Sequence, residues 1–258
     1  MMRSKETGRW LTNLPNTLNG TVLSEEEFRD SLRLRFGLTP LKLPSNCDGC
    51  GKKFDFNHAQ QICKKGGLIT HRHDDVAAAW SEFCARALKP SAVSHEPYIH
   101  TGRDTLKKAG VADTSIEKDM RGDVRVHGFW TKQQSTIFDV RITDADCKTE
   151  VDRDPRKVLA QHERAKKKTY LVLCTDQWRH FTPLVFSVDG MVGVEAQAAI
   201  KRLASLLSVK WKRPYSEICA YVRSGISISL VRTASGHYPT ARVSHATWET
   251  GADLSLYH

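Results

Sequence analysis

RGDVRVHGFWTKQQSTIFDVRIT, residues 121–143, decides how the rest of the chain is read. Val124 and Val126 alternate with Asp123, Arg125 and His127, and further on Phe138, Val140 and Ile142 alternate with Asp139 and Arg141. A period of two belongs to half-buried strands, so the spacing predicts a hairpin turning near Gln133. That turn gathers the apolar residues of both strands on one face and Asp123, His127, Asp139 and Arg141 on the other. Two acids on a shared polar face have two readings. They belong to a solvated charged surface, or they hold one or two Mg²⁺ ions that activate a water and stabilise the charge of a phosphodiester transition state.

Composition bounds the choice. A chain of 258 residues can bury a core as one large domain or two smaller ones. Its 39 Lys and Arg against 29 Asp and Glu leave a formal charge of +10. That surplus favours nucleic acid as partner, with an anionic membrane second, because neutralising phosphates releases counterions. The N-terminal MMRSKETGRWL has no apolar core of signal-peptide length, and no apolar run approaches the roughly 18 residues of a membrane span, so the expectation is a soluble intracellular protein. Seven cysteines in a reducing compartment point to metal ligands or buried thiols rather than disulfides.

Working back from the hairpin, residues 101–120 read as a polar insertion, and SAVSHEPYI as a short strand interrupted at Pro97 with Glu96 beside it. Before it, Val76, Ala79, Trp80, Phe83 and Leu88 recur at helical spacing and predict a helix over 72–88, with Asp74 and Asp75 at its positive end and Cys84 as a small buried residue. Earlier still, Cys47, Cys50, His58 and Cys63 fall at C-x2-C-x7-H-x4-C. A CxxC turn eased by Gly49 and Gly51, followed by His and Cys about a helical turn apart, offers four ligands to a tetrahedral, structural Zn²⁺. Ser24 and Glu27 form a capping box for a helix near 25–36, and residues 1–20 read as a tail or an irregular cover.

On the other side, Asp154-Pro155 is an N-cap with proline at the first helical position, opening a helix to Tyr170. Its basic residues, Arg153 to Lys168, are either a solvated face or a stripe that tracks phosphates. Pro183–Val188 predicts a strand, 194–211 an amphipathic helix, and the stretch after Pro214 a buried helix. From Ser235 onward a loose tail is expected.

With these pieces named, the chain resembles the restriction-like endonuclease domain at the C-terminus of site-specific non-LTR retrotransposon proteins. Cys47, Cys50, His58 and Cys63 match that family's CCHC knuckle, and Arg72-His73-Asp74 its Arg-His-Asp/Asn motif. Asp123 and Asp139 match its catalytic acids, and Lys166 with Tyr170 its Lys-x-x-x-Tyr. The match spans roughly residues 47–170. Three departures stand out: Gly122 replaces the family's proline, residues 124–138 make a slightly long interval between the acids, and Arg141 occupies the place where the related restriction-nuclease fold carries lysine. Arginine can hold a phosphate but does not readily give up a proton, so Lys166 is expected to take the lysine's role.

The resemblance implies an α/β fold: a mixed sheet of about four strands built on the hairpin and Pro183–Val188, flanked by helices 72–88 and 155–170 in the order α-β-β-β-α-β. Two C-terminal helices would add a layer. The expected organisation is 1–44 as an N-terminal segment, 45–70 as the knuckle, 71–234 as the nuclease domain and 235–258 as tail. The implied activity is Mg²⁺- or Mn²⁺-dependent nicking of DNA, with RNA as another nucleic-acid partner and the nucleus as location. Asp123 and Asp139 would hold the metal, Glu96 or Asp74 would complete its shell, and Arg141, Lys166 and Tyr170 would act beside it. Arg72, His73, Lys167 and Lys168 would contact the duplex. The alternative is a zinc-dependent nucleic-acid-binding remnant without catalysis.

Overall fold

In the computed structural model, which describes residues 7–41, 45–46, 50–53, 68–100, 120–145, 147, 150 and 152–232, five helices and six strands occur among those residues. In order they are α1 (Glu25–Arg35), α2 (Leu68–Ala87), β1 (Val93–His95), β2 (Tyr98–His100), β3 (Met120–Arg121), β4 (Val124–His127), β5 (Ser135–Thr143), α3 (Pro155–Asp176), β6 (His180–Ser187), α4 (Val194–Trp211) and α5 (Tyr215–Arg232). Most of the knuckle, the insertion after His100 and the C-terminal tail lie outside the described residues.

The fold is mixed α/β. Four strands form one sheet in the order β1-β4-β5-β6, the first two pairings antiparallel and β5–β6 parallel. A parallel neighbour requires a crossover, and α3 supplies it. Strands β2 and β3 form a separate small pair, with Tyr98 opposite Arg121. Pro183 lies inside β6, which is tolerated because β6 is an edge strand.

The hairpin turns about two residues earlier than the sequence reading placed it. Val124 pairs with Phe138 and His127 with Ser135, which centres the turn on Thr131. The loop is anchored by its aromatics: Phe129 is fully buried, the Trp130 indole N–H donates to Thr182 Oγ1 at 2.9 Å, and the Arg202 guanidinium donates to Phe129 O at 2.9 Å. A two-residue displacement keeps the parity of every side chain, so the two faces come out as expected.

Val124, Val126, Phe138 and Val140 face the main core, where Trp80 of α2 packs with ring centroids 5.2 Å from Phe138 and 5.9 Å from Phe129. Helices α2, α4 and α5 cover this face, and Gly225 lets α5 approach so closely that a Cβ there would stand 2.5 Å from Phe83 Cζ. The opposite face is covered by α3, where Ile137 meets Ile99, Cys174 and Phe181. Of the two readings of residues 1–20, the cover holds at Trp10, which packs on Ile228 and Val231 of α5. The capping box of α1 forms as expected, Ser24 Oγ accepting from Glu27 N and Glu27 Oε2 accepting from Ser24 N at 2.7 Å. No described helix is long and apolar enough to cross a membrane.

Candidate active site

The site lies at the end of the hairpin, on the α3 side of the sheet. Extending the β4–β5 register by one residue sets Asp123 directly opposite Asp139. Asp123 N–H donates to Phe138 O at 3.0 Å and Glu96 N–H to Asp123 O at 2.9 Å, so the backbone of Asp123 is held from both neighbours. Its carboxylate is held too. Oδ2 accepts from Val140 N–H at 2.5 Å and meets His73 Nε2 at 3.0 Å.

His73 comes from α2, which begins at Leu68 rather than near residue 72, so the His-Asp pair falls in the second helical turn and not at the positive end. On its other side His73 Nδ1 meets Asp74 Oδ1 at 3.1 Å. An imidazole between two carboxylates is stabilised as the cation, and the Asp123 hydrogen bond first, helped by charge and by Asp74, lifts it to about 9. Asp74 thus orients His73, which orients Asp123.

Asp139 is buried at 4% exposure and meets Lys166 Nζ of α3 at 2.6 Å. Burial raises its carboxyl most, the neighbouring Asp123 charge raises it further, Lys166 and His73 offset only part of this, and it stands at about 6. A buried acid held up by a like charge across the strand marks a place short of positive charge. Two facing carboxylates with oxygen ligands suit a hard divalent cation, which usually takes one or two protein carboxylates and completes its shell with water and phosphate oxygens. Among the described residues no group of three or more His, Cys, Asp and Glu side chains is arranged to hold a metal ion.

Lys166 also lies 5.6 Å from the ring centroid of Tyr170, whose own ring packs on Phe181 at 5.3 Å. Burial pushes the Tyr170 phenol up, so it is a hydrogen-bond donor and not a phenolate. Arg141 is exposed and, with His162, Lys166, Thr169 and Tyr170, lines an open depression beside Asp139. Burial, then the Arg141 charge, keeps His162 below its ordinary value, and its Nε2 meets Thr143 Oγ1 at 3.2 Å.

Asp123, Asp139, Arg141, Lys166, Tyr170 and His73 therefore come together. Other residues singled out in the sequence do not. Arg72 is 3% exposed, because α2 turns it into the protein rather than toward a duplex. Lys167 is tied to Glu195 of α4, and the neighbouring Glu163 carboxylate accepts from Glu195 N–H at 2.9 Å, so this corner joins α3 to α4 instead of offering a free cation. Glu96 pairs instead with Arg121 at 3.2 Å, its carboxylate largely exposed. Lys168 is exposed. Of the knuckle, Cys50 is described and is in no disulfide, while Cys47, His58 and Cys63 lie outside the described residues. Flanking it, Asn46 and Lys53 form an antiparallel bridge and Gly51 takes a φ of +70°, left-handed backbone that glycine adopts without steric cost.

Sequence reasoning missed three parts: Asp74 as the partner of His73, the Val140 N–H as a donor to Asp123, and His162 with Thr169 beside Lys166. The first was legible as an adjacent pair, but the others depend on α3 docking on the sheet. A scan against protein-family models and a search of curated proteins found no match to this chain.

Proposed function

We propose that this chain is a divalent-metal-dependent endonuclease that nicks DNA, built on a restriction-like core preceded by a zinc knuckle. One observation carries the reading: Asp123 and Asp139 face each other across paired strands with the Lys166 ammonium 2.6 Å from the second acid. The strand and helix order supports it, since α2, β1, β4, β5, α3 and β6 follow the α-β-β-β-α-β sequence with β5 and β6 parallel.

Asp123 and Asp139 would hold Mg²⁺ or Mn²⁺, which when bound supplies Lewis acidity at the phosphate and makes a water more acidic. The residues of the chain do the rest. Lys166 favours the ionised form of Asp139 against burial and the Asp123 charge, and presents positive charge where the phosphoryl transition state gains negative charge. Tyr170 flanks Lys166 and limits its wandering. His73 holds the Asp123 carboxylate in one orientation, and Arg141 stands on the rim of the adjoining depression, where a phosphate of the bound strand would lie. Cys47, Cys50, His58 and Cys63 would hold Zn²⁺ as a staple for a loop too short to form its own core.

The test is plasmid nicking with Mg²⁺ or Mn²⁺. The wild-type chain is expected to convert supercoiled to open circular DNA, and Asp139→Ala to lose nicking while still binding DNA. Binding with no nicking in either protein would instead favour a zinc-dependent binding module, a reading with one point in its favour: each acid already has a cationic partner within the chain, His73 for Asp123 and Lys166 for Asp139.

A further inference from the structure

Helix α3 closes on a residue that the fold itself does not favour there. Arg179 N–H donates to Cys174 O and Trp178 N–H to Thr175 O, both at 2.9 Å, which is the Schellman pattern. In that pattern the residue after the C-cap takes left-handed backbone, and Trp178 does so with φ +56°, where glycine is the preferred occupant. The side chain recovers nothing by burial. Trp178 is 80% exposed, more than any other described large hydrophobic residue, and its ring contacts no other aromatic ring among the described residues. A large aromatic that accepts an unfavourable backbone and remains in water points to a ligand.

What surrounds it suggests which ligand. On the outer face of α3, Lys157, Gln161, Arg164, Lys168, Val172 and Thr175 follow one another at helical spacing, and all six are exposed. The first half of this stripe is cationic. The second is apolar, with Leu171 40% and Val172 66% exposed, and Trp178 stands at its end. On the neighbouring β2–β3 pair, Arg121 stacks over the Tyr98 ring at 4.2 Å, and Arg179 donates to Tyr98 O at 3.0 Å. Two acids are near it in the chain or the fold: Asp176, exposed at the helix end, and Glu96, paired with Arg121. Cations followed by exposed aromatic and aliphatic surface match a chain of phosphates carrying flat bases, and duplex DNA hides those bases inside its stack.

We propose that the C-terminal end of α3 is a stacking platform for an unpaired nucleobase, with Trp178 as its surface and Lys168 and Arg164 holding the preceding phosphates. Lys168 and Trp178 are ten positions apart, about 15 Å at the helical rise, a distance that a few nucleotides of an unpaired strand span. Lys166 of the candidate active site lies on the same helix. A base unstacked at a nick or a frayed end would be held on the outer face of the helix whose sheet-facing side carries Lys166. The inference rests on nucleic acid being the partner, but it does not need cleavage.

The experiment measures binding of a labelled oligothymidylate and of a blunt duplex of equal length, in chelator so that nothing is cut. Trp178→Gly should weaken single-strand binding about 5- to 100-fold, the range of one stacked base, and leave the duplex nearly unchanged. Because glycine suits the left-handed position, the same variant should melt at or up to about 2 °C above wild type, so a loss cannot come from misfolding. Trp178→Tyr should retain most of the affinity. Unchanged single-strand affinity in Trp178→Gly, an equal loss on duplex, or a lowered melting temperature would each overturn the platform, as would a wild-type chain that binds no single strand. Plasmid nicking read in parallel separates the two readings: nicking with Trp178-independent binding sinks only the platform, and Trp178-dependent binding without nicking sinks only the nuclease.

Discussion

Asp139 is where stability and the proposed chemistry pull apart. Its carboxyl stands at about 6 in the fold against an ordinary 3.8, so folding favours the protonated form. Above pH 6 the folded state carries the cost of the buried charge, and that cost fades as pH falls from about 6 toward 3.8. His73 acts in the same direction by the opposite chemistry: raised from 6.5 to about 9, it stabilises fully below 6.5 and that contribution is lost as pH rises through about 9. Metal-free protein is thus expected to melt at progressively lower temperature between pH 4 and 9, read by calorimetry in chelator. Asp139→Asn should abolish nicking yet raise stability at pH 8 without metal by about 2 kcal/mol, since the charge no longer has to be buried. An Asn variant that melts below wild type at pH 8 would mean that the Lys166 pair outweighs desolvation. The acids themselves were readable from the alternation of residues 121–143. The identity of the cations that meet them was readable only in part, because Lys166 and His73 come from different helices.

At the scale of the strand pair, Gly122 stands where only glycine fits. A Cβ at this position would stand 2.4 Å from Ile137 Cγ2, a branched methyl with little room to rotate, and Gly122 N–H donates to Pro97 O at 3.0 Å. Proline would meet the clash and remove the donor. Gly122→Pro is therefore expected to cost about 2–4 kcal/mol in urea unfolding, and adding Ile137→Ala to relieve the steric part while leaving the lost hydrogen bond. A neutral Gly122→Pro would show that the strand shifts freely, and the register that sets Asp123 opposite Asp139 would then lose its rigid support. Hairpin, helices and their faces were legible because hydrophobic period is a local property. The turn centre was not, because Phe129 and Trp130 pull the loop into the core through contacts with α2, β6 and α4.

For the molecule as a whole, the +10 charge predicts that DNA affinity drops about tenfold or more between 50 and 200 mM salt, measured by anisotropy; a flat profile would remove nucleic acid as partner. Chelation should release about one zinc per chain and unfold the region around Cys50, and protein purified without chelators that holds no zinc would dispose of the knuckle. By itself the sequence determined the class of fold, the strand and helix periods, the capped starts of α1 and α3, and which two acids share a face, because each follows from neighbours along the chain. Only the tertiary structure decided that Arg72 is buried, that Lys167 joins helices, that His73 reaches Asp123 and that Trp178 stands uncovered. Those outcomes depend on how helices dock on the sheet, and docking is set by complementary shape and charge between segments far apart along the chain, which no local pattern encodes.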